Sequence, residues 1–516
     1  MQTKKNTQYI KLIKIKFPVV IVLIFQILIA FLGSLSIFAW IGYKWIYRNF
    51  GQLINVDQIM WTLSYSTEGA DPTLISSIYK NICIASVLSL LWVIFVFFFN
   101  KSSSLKLIIR KLICAIVNLS IYIANLKNRK DYINYKNCGL VFLLFVSLIS
   151  LYKVAKLMNS RYDIVTYYEN QQLANKYDHI RENYSVPSIK EVKFTDKKNL
   201  VLVMGESLES NFNFLVPLTP NLDKLETKGT SVDRLVNTYG SSWTIGALTG
   251  WHFGLPLKLP VHHNEYHSPN GFLPNALSIF DILNANGYKL VMMMGSNRSF
   301  SGKGTLFSEH GNFEILDSDY WIKNGWDINK YKGSDWGYSD EFLFDRARDK
   351  YKELQNQGEP FVLLIETVDT HFVNGYCPKE KRIYNDIRDA YLESDRQISS
   401  FADYVLQNKK TPLVMGVIGD HFYMGEPDIF KNIKRNIRNI FLGDVPAVPV
   451  EKKNKLNGAV DIAPSILQAV GATWNSSRFG LGTSIFSKED SLVQKLGVKT
   501  YDKYVAMPSK LYQSFY

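Results

Sequence analysis

The sequence predicts N-terminal transmembrane α-helices followed by an α/β domain, its mostly parallel central sheet sandwiched by helices. Three observations predict it. Long uncharged apolar runs are confined to the first 154 residues. Basic residues are concentrated in the same part: residues 1–160 hold 18 Lys+Arg against 4 Asp+Glu, and the rest of the chain holds 41 against 42. Beyond residue 197, short continuous Val/Ile/Leu/Met runs alternate with helical patterns, as strands buried on both faces by helices do.

At 516 residues the chain is too long for one ordinary core. Its net charge of +13 belongs entirely to the apolar N-terminal part, which is a membrane-orientation pattern and argues against a nucleic-acid partner. Four cysteines, with no CxxC or Cys/His zinc spacing, exclude a disulfide scaffold.

The first apolar run, 17–40, is long enough to cross a bilayer of about 30 Å and lacks a small-residue cleavage site. Runs at 82–99 and 138–152 predict two further spans, the shorter one flanked by Lys136 and Lys153, which can snorkel. Residues 112–126 read either as a fourth span or as a helix at the interface. Basic clusters at residues 4–16 and 101–136 belong on the cytoplasmic side, which gives three crossings and an extracytoplasmic C-terminal part. The expected organisation is a membrane anchor over 1–154, a helical or irregular linker over 155–196 and a catalytic domain over 197–516.

In that domain, strands are expected at NLVLVMG (199–205), YKLVMMMG (288–295), PFVLLIET (360–367), PLVMGVIGD (412–420) and IRNIFLG (437–443). Helices are expected at 272–287, 339–357, 384–408 and 459–470. Ligands of open α/β sheets bind beyond the carboxyl ends of the strands, so the residues found there carry the information. They are Gly205-Glu206-Ser207, the loop GSNRSFSGKG, Thr367-Val368-Asp369-Thr370-His371 and Gly419-Asp420-His421.

Asp420 and His421 can ligate a divalent ion through a carboxylate oxygen and an imidazole nitrogen, or they can simply cap and face solvent. Glu206 invites the same two readings, the second as a carboxylate at a helix N-terminus. The segment Gly205-Glu206-Ser207 is not a nucleophile elbow, because Glu209 stands where that motif needs its second glycine. Thr244, after a Gly-Ser-Ser-Trp turn, sits where an N-cap belongs; the same helix start also suits an anionic phosphate, and a hydroxyl beside a metal becomes nucleophilic. His371 is either a phosphate-side group or a surface histidine. Arg298 and Lys303 either hold phosphate or form a solvated basic loop, and His262, His263 and His267 read as a mobile polar loop more readily than as a metal cluster.

Taken in order, MGESLES, LTPNLDKL, GSSWTIGALTGWHFGLPL, GSNRSFSGKGTLFSEHG, SDWGYSDEFLFD, ETVDTHFVNGYC, GDHFYM and VDIAPSILQAVG resemble the sulfatase-like phosphoglycerol transferases of the alkaline phosphatase superfamily. The nearest likeness is to the branch that decorates periplasmic glucans; lipoteichoic acid synthases and lipopolysaccharide phosphoethanolamine transferases are more distant. The resemblance covers roughly 197–486 and adds an N-terminal anchor of the same type. It implies Glu206, Asp420, His421 and Thr244 as ligands of one divalent metal ion (Mn²⁺, Mg²⁺ or Zn²⁺), with Thr244 also the nucleophile. It further implies His371 as a catalytic or substrate-side histidine, and Arg298, Lys303 and Trp336 as substrate-binding residues.

The sulfatase signature requires Cys or Ser with Pro two and Arg four residues later. Here Thr244 is followed by Ile245-Gly246-Ala247-Leu248, which argues against a formylglycine sulfatase. The implied activity is transfer of phosphoglycerol from phosphatidylglycerol to an envelope glycan through a phospho-threonine. A phosphoethanolamine transferase acting on lipopolysaccharide core or lipid A, and a related phosphodiesterase, are the alternatives. The implied partners are a phospholipid donor, a glycan or lipopolysaccharide acceptor and the membrane, with no nucleic acid. The implied location is the bacterial inner membrane, multi-pass, with the catalytic domain in the periplasm.

Overall fold

The computed structural model describes residues 19–50, 56–64, 72–99, 138–162, 164–165, 177–211, 217–258, 271–372, 375–425 and 434–516. The segment 112–126 and the histidines 262, 263 and 267 lie outside them. The chain divides into two compact units, Met1–Ile46 with Ser76–Arg161, and Tyr47–Ile75 with Tyr162–Tyr516. Helix residues 56–64 thus fall in the second unit.

Among the described residues, the first unit contains most of three helices, α1 (Val19–Phe50), α3 (Pro72–Phe99) and α4 (Cys138–Tyr162), with α2 (Val56–Ser64) of the second unit falling between the first two in sequence. All three are long and apolar enough to cross a membrane. Each overruns its expected span because the helix continues through more polar ends such as Pro72–Lys80 and Lys153–Tyr162. Within this unit polar groups pair with one another: Ser36 and Ser150 hydroxyls lie 2.6 Å apart, and the Gln26 amide donates to the Val96 carbonyl at 3.1 Å.

The second unit is an α/β sandwich. The strands of its central sheet are β1 (Asn199–Gly205), β2 (Lys289–Met294), β3 (Glu314–Leu316), β4 (Phe361–Glu366), β5 (Leu413–Gly419) and β6 (Asn439–Gly443). They form one sheet in the order β3-β2-β4-β1-β5-β6, parallel throughout except for β6, which pairs antiparallel with β5 at the edge. All five expected strands form, and β3 is added.

Both faces of the sheet are buried. Leu200, Leu202 and Met204 of β1 join one core; Val201 and Val203 join the other. The first core is closed by α5 (Thr244–Phe253) and helices at Ile279–Ala285 and Ile462–Ala469, the second by helices at Asp340–Gln357 and Ile387–Gln407. The pattern at 272–287 yields a helix only from Ile279, because Ser278 and Asp281 form a reciprocal capping box there.

Candidate active site and metal centre

Register brings the site together. In the β1–β5 pair, Gly205 lies opposite Gly419, and in the β1–β4 pair Met204 lies opposite Glu366. The residues that follow these three strand ends must therefore meet at one edge. Gly419 is required for that meeting, since a Cβ there would fall 2.0 Å from the Leu208 carbonyl oxygen. Ser207 turns the chain away from β1 with φ +50, an uncommon conformation for a residue other than glycine.

Glu206, Asp420 and His421 converge there, each with one donor atom within 4.8 Å of the others. All three are buried, at 4%, 1% and 1% exposure. His421 Nε2 is 3.3 Å from Asp420 Oδ2 and 3.7 Å from Glu206 Oε1. His421 Nδ1 lies 2.8 Å from the Phe422 carbonyl, which can only accept, so in the neutral ring the proton sits on Nδ1 and Nε2 keeps its lone pair for a cation.

Asp420 Oδ1 accepts from the backbone N–H of Ser207 and of His421 at 2.8 and 2.7 Å, but its buried Oδ2 has no hydrogen-bond partner. An orphaned carboxylate oxygen, a bare imidazole nitrogen and a second carboxylate form a donor set suited to one divalent cation. The electrostatics agree. Burial, followed by the charge of Glu206, pushes the Asp420 carboxyl up to about 7. Burial also pushes the Glu206 carboxyl up, but the His371 and His421 rings and the Ser207 and Thr244 hydroxyls outweigh it and hold it below the ordinary range. Burial disfavours charge on His421, yet Asp420 and Glu206 raise it above the usual histidine value. Without a cation, these three groups share protons in its place.

Thr244 is the first residue of α5 and not its cap. The cap position is held by Trp243, extended at φ −158, ψ 161, and no side chain bonds to the helix start. Freed from capping, the Thr244 hydroxyl donates to Glu206 Oε2 at 3.3 Å. The helix places its unpaired N–H groups at this point, and it ends at Gly254, whose φ of +61 suits glycine alone.

His371 lies close enough to Glu206 to act on its charge. Its Nδ1 is 2.6 Å from the Phe372 carbonyl, which leaves Nε2 free. Trp336 stacks obliquely on that ring at 4.6 Å and meets Phe300 edge-on at 5.0 Å. Thr244, His371, Trp336 and the three metal-type ligands thus gather at one strand edge.

Arg298 and Lys303 are placed differently. The Arg298 guanidinium donates through Nε and Nη2 to the two oxygens of Asp317, both at 2.8 Å. Lys303 is buried and forms a 2.5 Å ion pair with Glu366, with a further bond to Ser296 Oγ. Both cations hold the 296–304 loop to the sheet edge through these pairs.

Other contributors carry no distinct signal in the sequence. Thr367 Oγ1 accepts from the Glu206 N–H at 2.9 Å, Thr370 Oγ1 donates to the Glu206 carbonyl at 2.5 Å, and Ser207 Oγ donates to Glu206 Oε1 at 2.6 Å. Together they fix the carboxylate against which Thr244 rests. Both threonines lie in the segment Thr367–His371, and their strand-end position is the only clue the sequence offers.

The Sulfatase family model matches residues 198–472. The chain is 30% identical over 320 residues to phosphoglycerol transferase I of Xanthomonas campestris pv. campestris (59% of this chain, 45% of that protein). It is 29% identical over 323 residues to phosphoglycerol transferase I of Escherichia coli (59% and 41%). The matched stretch thus spans less than half the length of these relatives. Among solved structures it is similar to the lipoteichoic acid synthase LtaP from Listeria monocytogenes (TM-score 0.48, 16% identity, 65% of this chain and 96% of that one). It is also similar to the lipooligosaccharide phosphoethanolamine transferase EptA from Neisseria meningitidis (TM-score 0.46, 12% identity, 96% and 88%).

Proposed function

The chain belongs to the sulfatase family, and from that premise we propose that it is a membrane-anchored phosphotransferase. It moves phosphoglycerol from phosphatidylglycerol to a cell-envelope glycan through a covalent intermediate on Thr244. The observation that carries this reading is the Thr244 hydroxyl resting on Glu206 within a buried Glu-Asp-His cluster.

Glu206, Asp420 and His421 would hold one divalent cation, with Thr244 beside it; two carboxylates and one imidazole accept Mn²⁺, Mg²⁺ or Zn²⁺ alike. When bound, that cation supplies Lewis-acid stabilisation of phosphoryl oxygens and acidifies a neighbouring hydroxyl.

The protein's own groups do the rest. Thr244 Oγ bonds to the donor phosphorus as the bond from phosphorus to the diacylglycerol oxygen breaks. Its proton passes toward Glu206 Oε2, to which it already points, and His371, entering this step as the imidazolium, gives its Nε2 proton to the diacylglycerol oxygen. The acceptor hydroxyl then attacks the phospho-threonine and gives its proton to His371, while the Thr244 oxygen recovers its own. The N–H groups at the start of α5 face the developing negative charge. Trp336 keeps the His371 ring oriented, and Arg298 and Lys303 shape the loop that meets the head group. Each half-reaction exchanges one phosphate ester for another, so no nucleotide is consumed.

Such a donor places the protein in the bacterial inner membrane as a multi-pass protein with its catalytic domain outside the cytoplasm. Confinement there raises the effective concentration of the lipid. The test is incubation of the detergent-solubilised full-length protein with labelled phosphatidylglycerol or phosphatidylethanolamine plus a glucan or lipopolysaccharide acceptor. Transfer of labelled glycerol phosphate supports the reading. Use of phosphatidylethanolamine alone moves the assignment to a phosphoethanolamine transferase, release of free head group alone to a phosphodiesterase, and consumption of neither lipid contradicts a transferase.

A further inference from the structure

Helix α2, nine residues long and lying in sequence between two apolar spans, belongs to the compact unit that contains the active site. An isolated helix of that length is marginal in water, so its docking contacts must hold it. Asp57, Gln58 and Trp61, at i, i+1 and i+4, share a face. The Tyr239 hydroxyl donates to the Asp57 carboxylate, and the Ser242 hydroxyl donates to Gln58 Oε1 at 3.1 Å. Trp61 is 1% exposed and meets Trp243 edge-on at 6.5 Å and Phe272 at 5.4 Å. Its indole N–H donates to the Ser301 carbonyl at 3.3 Å.

These partners are not scattered. Tyr239, Ser242 and Trp243 belong to the strap that leads into Thr244, and Trp243 holds the cap position of α5. Ser301 lies in the loop of Arg298 and Lys303, at a φ of +57 that the residue adopts only when its surroundings hold it there. One helix face therefore joins the strap before the hydroxyl to the 296–304 loop.

We propose that Gln58 and Trp61 are positioning residues for the transfer reaction, fixing the strap so that the Thr244 hydroxyl meets Glu206 and tying the 296–304 loop to it. This rests on Thr244 being the attacking group. Docking of α2 requires residues 56–64 and the domain beyond residue 177 to share one face of the membrane. An even number of crossings between them meets that condition, and among the described residues the candidate spans α3 and α4 supply two.

The experiment compares full-length wild type, Trp61→Phe, Trp61→Ala and Gln58→Ala by three measurements. These are kcat and KM with the lipid donor, Mn²⁺ affinity, and amide hydrogen exchange. In wild type, exchange at 56–64 is expected to be slow, and in Trp61→Ala it rises at 239–243 and near Ser301 while 199–206 and 413–421 stay protected. Trp61→Ala is expected to lower kcat about 10- to 100-fold, as misplacement of a reacting group does, with KM and Mn²⁺ affinity within about threefold of wild type. Trp61→Phe keeps the ring packing and is expected to lose less than Trp61→Ala. Unchanged kcat in Trp61→Ala, or a fall matched by an equal loss of Mn²⁺ sites, overturns the positioning role. Fast exchange at 56–64 in wild type overturns the docking itself. That readout needs no turnover, so a protein that transfers nothing but protects 56–64 would count against the transferase and not against the docking of α2.

Discussion

The Thr244 hydroxyl donates to Glu206 Oε2 at 3.3 Å although the two residues stand 38 positions apart and on different elements. A threonine that began α5 merely to cap it would bond to the helix backbone, and this one does not. The contact places the hydroxyl beside the Glu206, Asp420 and His421 cluster.

Thr244→Ala is therefore expected to abolish transfer, by at least about 10⁴-fold in kcat, the scale seen when a nucleophile is removed. With no cap bond lost, its thermal midpoint should stay near that of wild type. Thr244→Ser should retain measurable turnover. Steady-state kinetics with thermal unfolding of the same preparations checks both.

Metal affinity should fall with pH. Asp420 is pushed up to about 7 by burial and by Glu206, and His421 is also raised, so as pH falls through neutrality a cation must displace protons from the site. Mn²⁺ titration by calorimetry is expected to show affinity weakening at least about tenfold per pH unit below 7 and levelling above it. A flat profile would show that these groups are not the ligands.

His371→Gln should cost about 10²- to 10⁴-fold in kcat, the usual contribution of a general acid. The loss should shrink for a donor analogue whose leaving group needs no proton. An equal loss with both donors would assign His371 to binding alone.

The Lys303–Glu366 pair is enclosed, both side chains being 6% exposed. Removing one partner strands a buried charge, so Lys303→Met is expected to cost about 3–5 kcal/mol of stability. The double variant Lys303→Met/Glu366→Leu should recover most of it. Denaturant unfolding of the full-length protein in detergent measures the difference, and a single variant as stable as wild type would deny the pair.

Much of this is legible in the sequence, for identifiable reasons. Continuous apolar runs mark strands buried on both faces, and the residues after them meet because parallel strands end together. Local pattern accordingly points to Glu206, Asp420 and His421. What local pattern leaves open is which reading holds: Asp420 and Thr244 could each serve as a cap, and only the opposition of Gly205 to Gly419 and the extended Trp243 decide. The pairing of Arg298 with Asp317 and of Lys303 with Glu366 is not legible, because a basic loop looks alike whatever carboxylates lie near it in the fold. Helix α2 is least legible. Its partners lie 182 to 240 positions away, and a short stretch of mixed charge between two apolar spans gives no sign of them.

The most direct test is intact-mass and peptide mass analysis of the full-length protein after exposure to donor lipid without acceptor. The expected result is one added head-group phosphate on the peptide containing Thr244, absent from Thr244→Ala and discharged when acceptor is supplied. Full turnover with no adduct at any time, or an adduct on another residue that survives in Thr244→Ala, would contradict it.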